Sequence, residues 1–184
     1  PRTLFPYTTL FRSALLATAH NHWKAAPMLG CAASNEAAAP VLNPSDLRDV
    51  VGHVQEATVD DVDNAIQCAI NAGPIWQATP PAERAAILER AADLMEGEIQ
   101  PLMGLLAREA GKTFANAIAE VREAVDFLRY YAVQARHDFT NDAHRPLGPV
   151  VCISPWNFPL AIFNGQVAAR SEERRVGKEC PRCV

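Results

Sequence analysis

Apolar residues recur every three or four positions through most of residues 58–136, and this spacing predicts a series of amphipathic helices. Thr58 is a predicted N-cap, and the aspartates that follow it suit the positive end of the helix dipole. Gly73–Pro74 is predicted to end this first helix. The second is predicted to open at Pro80–Pro81, and a short third one to start at Pro101 and close at Gly111. The apolar faces of the three helices are expected to comprise Val62, Ala65, Ile66, Ala69 and Ile70, then Ile87, Leu88, Ala91, Leu94 and Met95, then Leu102, Leu105 and Leu106.

The longest helix is predicted from about Thr113 to Arg136, and its residues fall into two stripes. One stripe is formed by Phe114, Ile118, Val121, Val125, Leu128 and Ala132, and the opposite one by Glu123, Phe127 and Tyr130. A helix that is apolar on two faces is usually packed on both, so Glu123 is expected on a contact face rather than in open water. A helix glutamate more commonly forms a solvated ion pair, and both interpretations stay open.

Extended structure is predicted on either side of these helices. Residues 41–45 turn at Asn-Pro and residues 50–54 follow as a strand, which together predict a two-stranded hairpin. The apolar run Val150–Ile153 is predicted to be a strand of a parallel sheet, and a further helix is expected to begin at Leu160. Residues 14–39 lack sustained periodicity and are expected to be a linker, with at most a short helical turn near Leu15.

The turn after residues 150–153 is the strongest candidate for chemistry in this chain. It reads Ile-Ser-Pro-Trp-Asn-Phe-Pro from Ile153 to Pro159, so prolines bound the central Trp-Asn-Phe triplet. Proline fixes its own φ and restricts the residue before it, which makes the turn stiff. A stiff turn can hold the Asn157 amide where it hydrogen-bonds an oxygen that gains negative charge during a reaction. On the residues alone, the commoner interpretation is an asparagine that bonds its own backbone in a turn.

The two ends of the chain are expected to be foreign to it. Residues 3–13 read TLFPYTTLFRS and residues 170–180 read RSEERRVGKEC, and one DNA sequence can encode the first on one strand and the second on the other. Such agreement over eleven codons indicates a translated sequencing adapter, so residues 1–13 and 170–184 are set aside. The Cys180–Cys183 pair then loses its value as a metal or redox motif, because no second pair completes a site.

Composition narrows the function of the remaining residues 14–169. They carry ten Lys and Arg against eighteen Asp and Glu, a net charge of about −8, which gives no electrostatic case for binding nucleic acid. No run reaches the roughly twenty apolar residues that a membrane span requires. Three cysteines without framework spacing, Cys31, Cys68 and Cys152, favour a reducing cytoplasm.

Two stretches of the sequence resemble a known family. Gly148–Pro159 is similar to the signature turn of the aldehyde dehydrogenase superfamily, and Glu109–Lys112 ahead of it is also typical. Residues 108–129 and 144–148 resemble the branch that occurs in bifunctional enzymes of bacterial proline catabolism. Those enzymes join a proline dehydrogenase to an L-glutamate-γ-semialdehyde dehydrogenase. The resemblance spans about residues 24–169.

The resemblance implies an α/β fold, in which residues 40–169 form the N-terminal, helix-rich part of an NAD-binding domain with an incomplete parallel sheet. It also implies NAD-dependent oxidation of a small aldehyde, L-glutamate γ-semialdehyde, to glutamate. In the family a cysteine thiolate attacks the aldehyde and a glutamate activates water to hydrolyse the thioester. FAD is implied only for the proline dehydrogenase half, and the parent protein is expected to be a homo-oligomer.

The resemblance also assigns roles to individual residues. Asn157 matches the oxyanion-hole asparagine of the family. Phe158 and Glu123 match positions that line the semialdehyde pocket. A segment that borders the NAD site is matched by Ile153, Ser154, Pro155 and Trp156. Plain core packing remains the alternative for the two aromatic residues.

The family's nucleophilic cysteine, its catalytic glutamate and its glycine-containing cofactor turn all follow the segment that this chain matches. Cys152 precedes the Pro-Trp-Asn turn and is therefore not the nucleophile. The chain is expected to be an inactive piece of an enzyme. A non-catalytic helical interaction module is the alternative, because the predicted helices are amphipathic and the nucleophile is missing.

Overall fold

A computed structural model describes residues 6–19, 21–28 and 38–171 of the 184-residue chain. Its helices are α1 (Pro6–Thr18), α2 (Val59–Ala78), α3 (Pro81–Gly97), α4 (Ile99–Glu109), α5 (Phe114–Asp138) and α6 (Ala161–Ser171). Its strands are β1 (Trp23–Ala25), β2 (Ala39–Asn43) and β3 (Asp46–Val54). The chain divides into two compact units, one from the described parts of 1–62 and 98–121, the other from 63–97 and 122–171.

The first unit contains a three-stranded sheet in the order β1-β3-β2. β2 and β3 pair antiparallel, which confirms the predicted hairpin, and the Asn43 side chain accepts a hydrogen bond from the Ser45 N–H at its turn (2.9 Å). β1 pairs parallel to β3 and was not predicted. The expected linker, residues 14–39, therefore supplies both a strand and the end of α1. Three residues are too few for a periodic signal, and the partner strand lies far along the chain.

Helix α4 packs closely on α1 in this unit. Gly104 permits the contact, because a Cβ at that position would lie 2.7 Å from the Ala14 carbonyl oxygen and 2.5 Å from the Thr18 Oγ1. The predicted close at Gly111 is confirmed: the helix ends at Glu109, and Gly111 adopts a left-handed φ of 62° that favours glycine. The Lys112 N–H then donates to the Leu106 carbonyl (3.3 Å).

A buried arginine joins the helices of this unit to the sheet. The Arg108 guanidinium donates to both carboxylate oxygens of Asp49 on β3, at 2.7 and 3.1 Å, and to the Thr18 carbonyl at the end of α1. The Asn43 amide donates to the same carboxylate (3.0 Å). Hydrogen bonds from Arg108 first and Asn43 second lower the pKa of Asp49 from its ordinary 3.8 to about 2.

Helix α2 begins as predicted and ends later than predicted. The Thr58 Oγ1 accepts from the Asp61 N–H (3.1 Å) while the Asp61 carboxylate accepts from the Thr58 N–H (2.9 Å), a reciprocal cap. The predicted stop at Gly73–Pro74 is wrong, since the helix continues to Ala78 with Pro74 inside it. Proline has a helix-compatible φ and lacks only its own N–H, the donor to the Ile70 carbonyl one turn earlier, so the turn that follows can still form. The Thr79 N–H and hydroxyl both donate to the Ile75 carbonyl, at 3.2 and 3.1 Å.

The second unit has its core where α3, α5 and α6 meet. The buried cluster comprises Ala85, Leu88, Ala92, Val125, Leu128, Ala132, Ala135 and Ala168. The predicted first stripe of α5 is confirmed. The predicted face of α3 is only partly correct, because Ile87 and Leu94 are exposed while Arg84 and Ala85 are buried. Because alanines make many of the core contacts of α3, its buried face lies about one residue away from the predicted face of larger apolar side chains.

The strand predicted at Val150–Ile153 is not formed. These residues have no regular secondary structure, and Val150, Val151 and Ile153 are exposed. A strand needs a neighbour for its backbone groups, and no described strand pairs with this segment. The helix predicted from Leu160 is confirmed as α6, and no described helix is long and apolar enough to cross a membrane.

Candidate functional site

The turn between the extended segment and α6 presents its aromatic side chains outward. Residues 156–160 form consecutive turns, and the Phe158 N–H donates to the Pro155 carbonyl (3.2 Å). Trp156 is 84% exposed, Ile153 63% and Phe158 39%. Apolar side chains at this level of exposure, side by side on a proline-bounded turn, form a surface suited to contact with another group.

Asn157 lies at the centre of this turn and is exposed. Within residues 6–19, 21–28 and 38–171, no hydrogen bond engages its side-chain amide. The alternative in which Asn157 bonds its own backbone is therefore not the arrangement found. The amide keeps its two N–H donors for a group outside the described residues.

Helix α6 holds the turn from behind. The Gln166 amide donates to the Ile153 carbonyl (2.9 Å), and the Asn164 amide donates to the Leu160 carbonyl at the helix start (2.8 Å). Neither contact was predicted from the sequence, because no sequence pattern shows which group the side-chain amide of a helix residue will bond. The neighbouring Gly165 lies against α5, where a Cβ would come within 2.9 Å of the Phe127 ring.

Glu123 does not lie on a packed face, contrary to the expectation from its stripe. It is exposed, and within the described part of the chain no ion pair involves it. The other two residues of this stripe differ in burial. Phe127 packs against Gly165 and stacks on Tyr131, with ring centroids 6.4 Å apart. Tyr130 is half exposed. Helix α6 therefore covers only part of the stripe.

Comparison with known proteins identifies the fold that carries this turn. A model of the aldehyde dehydrogenase family matches residues 31–170, about three quarters of the chain. The chain belongs to the aldehyde dehydrogenase family. The α/β fold class expected from the resemblance is thereby confirmed, with a helix-rich chain and a small, mixed sheet.

Individual relatives narrow the branch of the aldehyde dehydrogenase family. The chain is 64% identical over 157 residues to the bifunctional protein PutA of Escherichia coli, and 36% identical over 173 residues to 1-pyrroline-5-carboxylate dehydrogenase 2 of Bacillus subtilis. These matches cover 85% and 86% of this chain. A solved 1-pyrroline-5-carboxylate dehydrogenase from Thermus with bound NAD aligns with a TM-score of 0.79 at 28% identity, over 94% of this chain and 36% of that one.

The chain spans only part of each relative. It covers 12% of the E. coli protein and 34% of the B. subtilis enzyme.

Residues 153–156 form an exposed surface without charge, which is compatible with contact to part of a dinucleotide. They offer apolar side chains and main-chain groups. Such a surface suits flat rings and sugars better than phosphates, which require cations or helix N-termini. Across the described residues, no cluster of three or more His, Cys, Asp or Glu could hold a metal ion.

A second concave surface lies near the end of α2. A groove of about 370 Å³ runs between the last turns of α2 and residues 146–149, with Ile70, Trp76 and Leu147 among its walls. Trp76 lies in the last turn of α2. None of the predicted site residues lines this groove.

Proposed function

We propose that this chain is the N-terminal part of an NAD-dependent L-glutamate-γ-semialdehyde dehydrogenase, which oxidises that aldehyde to glutamate in proline catabolism. The observation that carries the proposal is the exposed Asn157 amide on a proline-bounded turn, with its donors unused among the described residues. The two relatives named above support the choice of substrate, since one is a 1-pyrroline-5-carboxylate dehydrogenase and the other is the bifunctional PutA.

Asn157 would act on the aldehyde oxygen. As a thiolate adds to the carbonyl carbon, the oxygen gains negative charge, and the Asn157 side-chain N–H groups donate to it. A donor that is already oriented stabilises the transition state more than the ground state, because it does not have to reorganise during the reaction. The nucleophilic cysteine and the water-activating glutamate would come from the longer protein.

The other predicted residues would line the site on either side of Asn157. Phe158, 39% exposed next to it, would form a wall for the substrate. The exposed carboxylate of Glu123 would take part in the same pocket. Ile153, Ser154, Pro155 and Trp156 would border NAD, and bound NAD would supply the hydride acceptor.

The parent protein would have a second half with its own cofactor. FAD would belong to a proline dehydrogenase half, as the match to the bifunctional PutA supports. We also propose that the parent is cytoplasmic, which the absence of a disulfide-like cysteine spacing supports. That it is a homo-oligomer is proposed from the family resemblance alone.

A non-catalytic helical interaction module is the second candidate function. The observation that favours it is the apolar stripe on α2, where Val62, Ile66 and Ile70 are each nearly half exposed. An independent module would resist limited proteolysis and melt cooperatively on its own. A piece of a larger enzyme would be cleaved readily at its exposed apolar segments.

The catalytic proposal can be tested in a complete enzyme. Residues 24–169 would replace the matching segment of the E. coli protein, and dehydrogenase turnover of the chimera would be measured with Asn157→Ala. Loss of one oriented donor is expected to lower kcat by roughly 100- to 1,000-fold. Asn71→Ala, at an exposed asparagine on α2, is the matched control and should leave kcat unchanged. Unchanged turnover of Asn157→Ala would reject the oxyanion role.

Residues 1–13 and 170–184 are proposed to be translated adapter sequence. The end of the family match at residue 170 supports this origin. Sequencing the source DNA across both ends tests it, because adapter bases must be present at each junction.

A further inference from the structure

Gln166 makes the hydrogen bond that joins α6 to the segment before the catalytic turn. Its Nε2 donates to the Ile153 carbonyl at 2.9 Å, across thirteen positions in sequence. Ile153 lies four residues before Asn157, and Pro155 restricts the backbone between them. Fixing the Ile153 carbonyl therefore limits where the turn can carry the Asn157 amide.

The orientation of the Gln166 amide is set by this contact. Its Oε1 is buried and has no hydrogen-bond partner among the described residues. If the amide were flipped, two oxygens would face each other across the same distance, which is unfavourable. A buried acceptor without a partner destabilises the chain, and an apolar side chain of similar size would avoid that cost. Unlike an apolar side chain, however, the amide has an N–H that donates to the Ile153 carbonyl.

The helix beneath Gln166 is held firmly. Ala161 and Ala168 are buried, and Gly165 brings the α6 backbone against the Phe127 ring of α5. Gln166 therefore projects from a backbone that has little freedom to move, which is a suitable anchor for an exposed turn.

We propose that Gln166 is a positioning residue, which sets the Asn157 amide in place by holding the Ile153 carbonyl. This inference depends on the proposed oxyanion role of Asn157. The inference requires that the whole effect of Gln166 on the reaction passes through the turn, without a contact of its own to substrate or cofactor.

The test uses the chimeric enzyme with a double-mutant cycle. Gln166→Glu keeps the shape of the side chain but removes the donor at neutral pH, and it is expected to lower kcat about tenfold with little change in KM for the aldehyde. Gln166→Lys restores a donor and should recover most of the lost kcat. Gln67→Glu is the matched control, since the Gln67 amide donates to the exposed Asn71 side chain (3.0 Å) on α2, and it should not change kcat.

The decisive arm combines Gln166→Glu with Asn157→Ala. If Gln166 acts through Asn157, the second substitution produces no further loss in the Asn157→Ala background. An equal tenfold loss in both backgrounds overturns the inference, because the effect then bypasses the turn. A kcat for Gln166→Glu equal to that of the parent chimera also overturns it. If Asn157→Ala alone retains full activity, the proposed function fails instead, so the two failures are distinguishable.

A folding defect is separated by hydrogen exchange on the 184-residue chain. With Gln166→Glu, the backbone amide of Phe158, which donates to the Pro155 carbonyl, should exchange faster, while those of α3 keep their protection. Equal acceleration in both regions would show a general loss of stability and overturn the positioning role.

Discussion

Gly165→Ala tests the contact that fixes α6 against α5. A Cβ at this position would lie 2.9, 3.1 and 3.1 Å from three carbons of the Phe127 ring, whereas ordinary contacts begin near 3.4 Å. The ring or the helix must therefore move by about half an ångström. Overpacking of this kind costs about 1–3 kcal/mol, and the better helix propensity of alanine offsets roughly 0.5–1 kcal/mol.

The net loss in the free energy of unfolding is expected to be about 1 kcal/mol and at most about 2.5 kcal/mol, and each kcal/mol lowers the melting temperature of the 184-residue chain by about 2–4 °C. Thermal unfolding followed by circular dichroism measures it. Gly97→Ala is the control, since a Cβ at position 97 would meet no atom within 4 Å and no loss is expected. Adding Phe127→Leu should recover part of the loss, because leucine frees space beside residue 165. A melting temperature of Gly165→Ala at or above that of the wild type would refute the close contact.

Two further predictions concern the first unit. Because the pKa of Asp49 is lowered from 3.8 to about 2, its ion pair with Arg108 contributes fully above about pH 4 and is lost as the pH falls towards 2. Asp49 is 34% exposed, so after solvent screening we expect only about 1 kcal/mol of this loss in urea titrations, and none in Asp49→Asn. Gly104→Ala should destabilise the chain by roughly 2–3 kcal/mol, and Thr18→Ala should relieve only part of that, because the Ala14 backbone oxygen stays 2.7 Å away. Full recovery in that double variant would contradict the geometry.

Local signals predicted the elements that depend on neighbouring residues. Thr58 with Asp61, the Asn43 turn and Gly111 act within a few positions, so sequence alone identified where these elements begin or end. The prediction at Gly73–Pro74 was wrong because a proline removes one hydrogen bond from a helix without having to end it, and α2 continues to Ala78.

Contacts between residues far apart in the chain have no local sign in the sequence, both in the first unit and at the candidate site. Arg108 and Asp49 are fifty-nine positions apart, and the partner of Gln166 is a main-chain carbonyl that any residue could supply. The predictions of a strand at Val150–Ile153 and of a packed position for Glu123 were wrong for a related reason. Periodicity predicts that a face is apolar or packed, but it does not show which element covers that face. Asn157 was identified because two prolines and two aromatic residues surround it within seven positions.

The exposure of Trp156 gives the chain an optical reporter. An indole surrounded by water emits at longer wavelengths than one enclosed by protein or ligand, and the other two tryptophans, Trp23 and Trp76, are already half buried. Any molecule that settles on the turn will therefore move the emission towards the blue mainly through this one side chain. Fluorescence can thus follow docking onto the turn directly, without a label and without turnover.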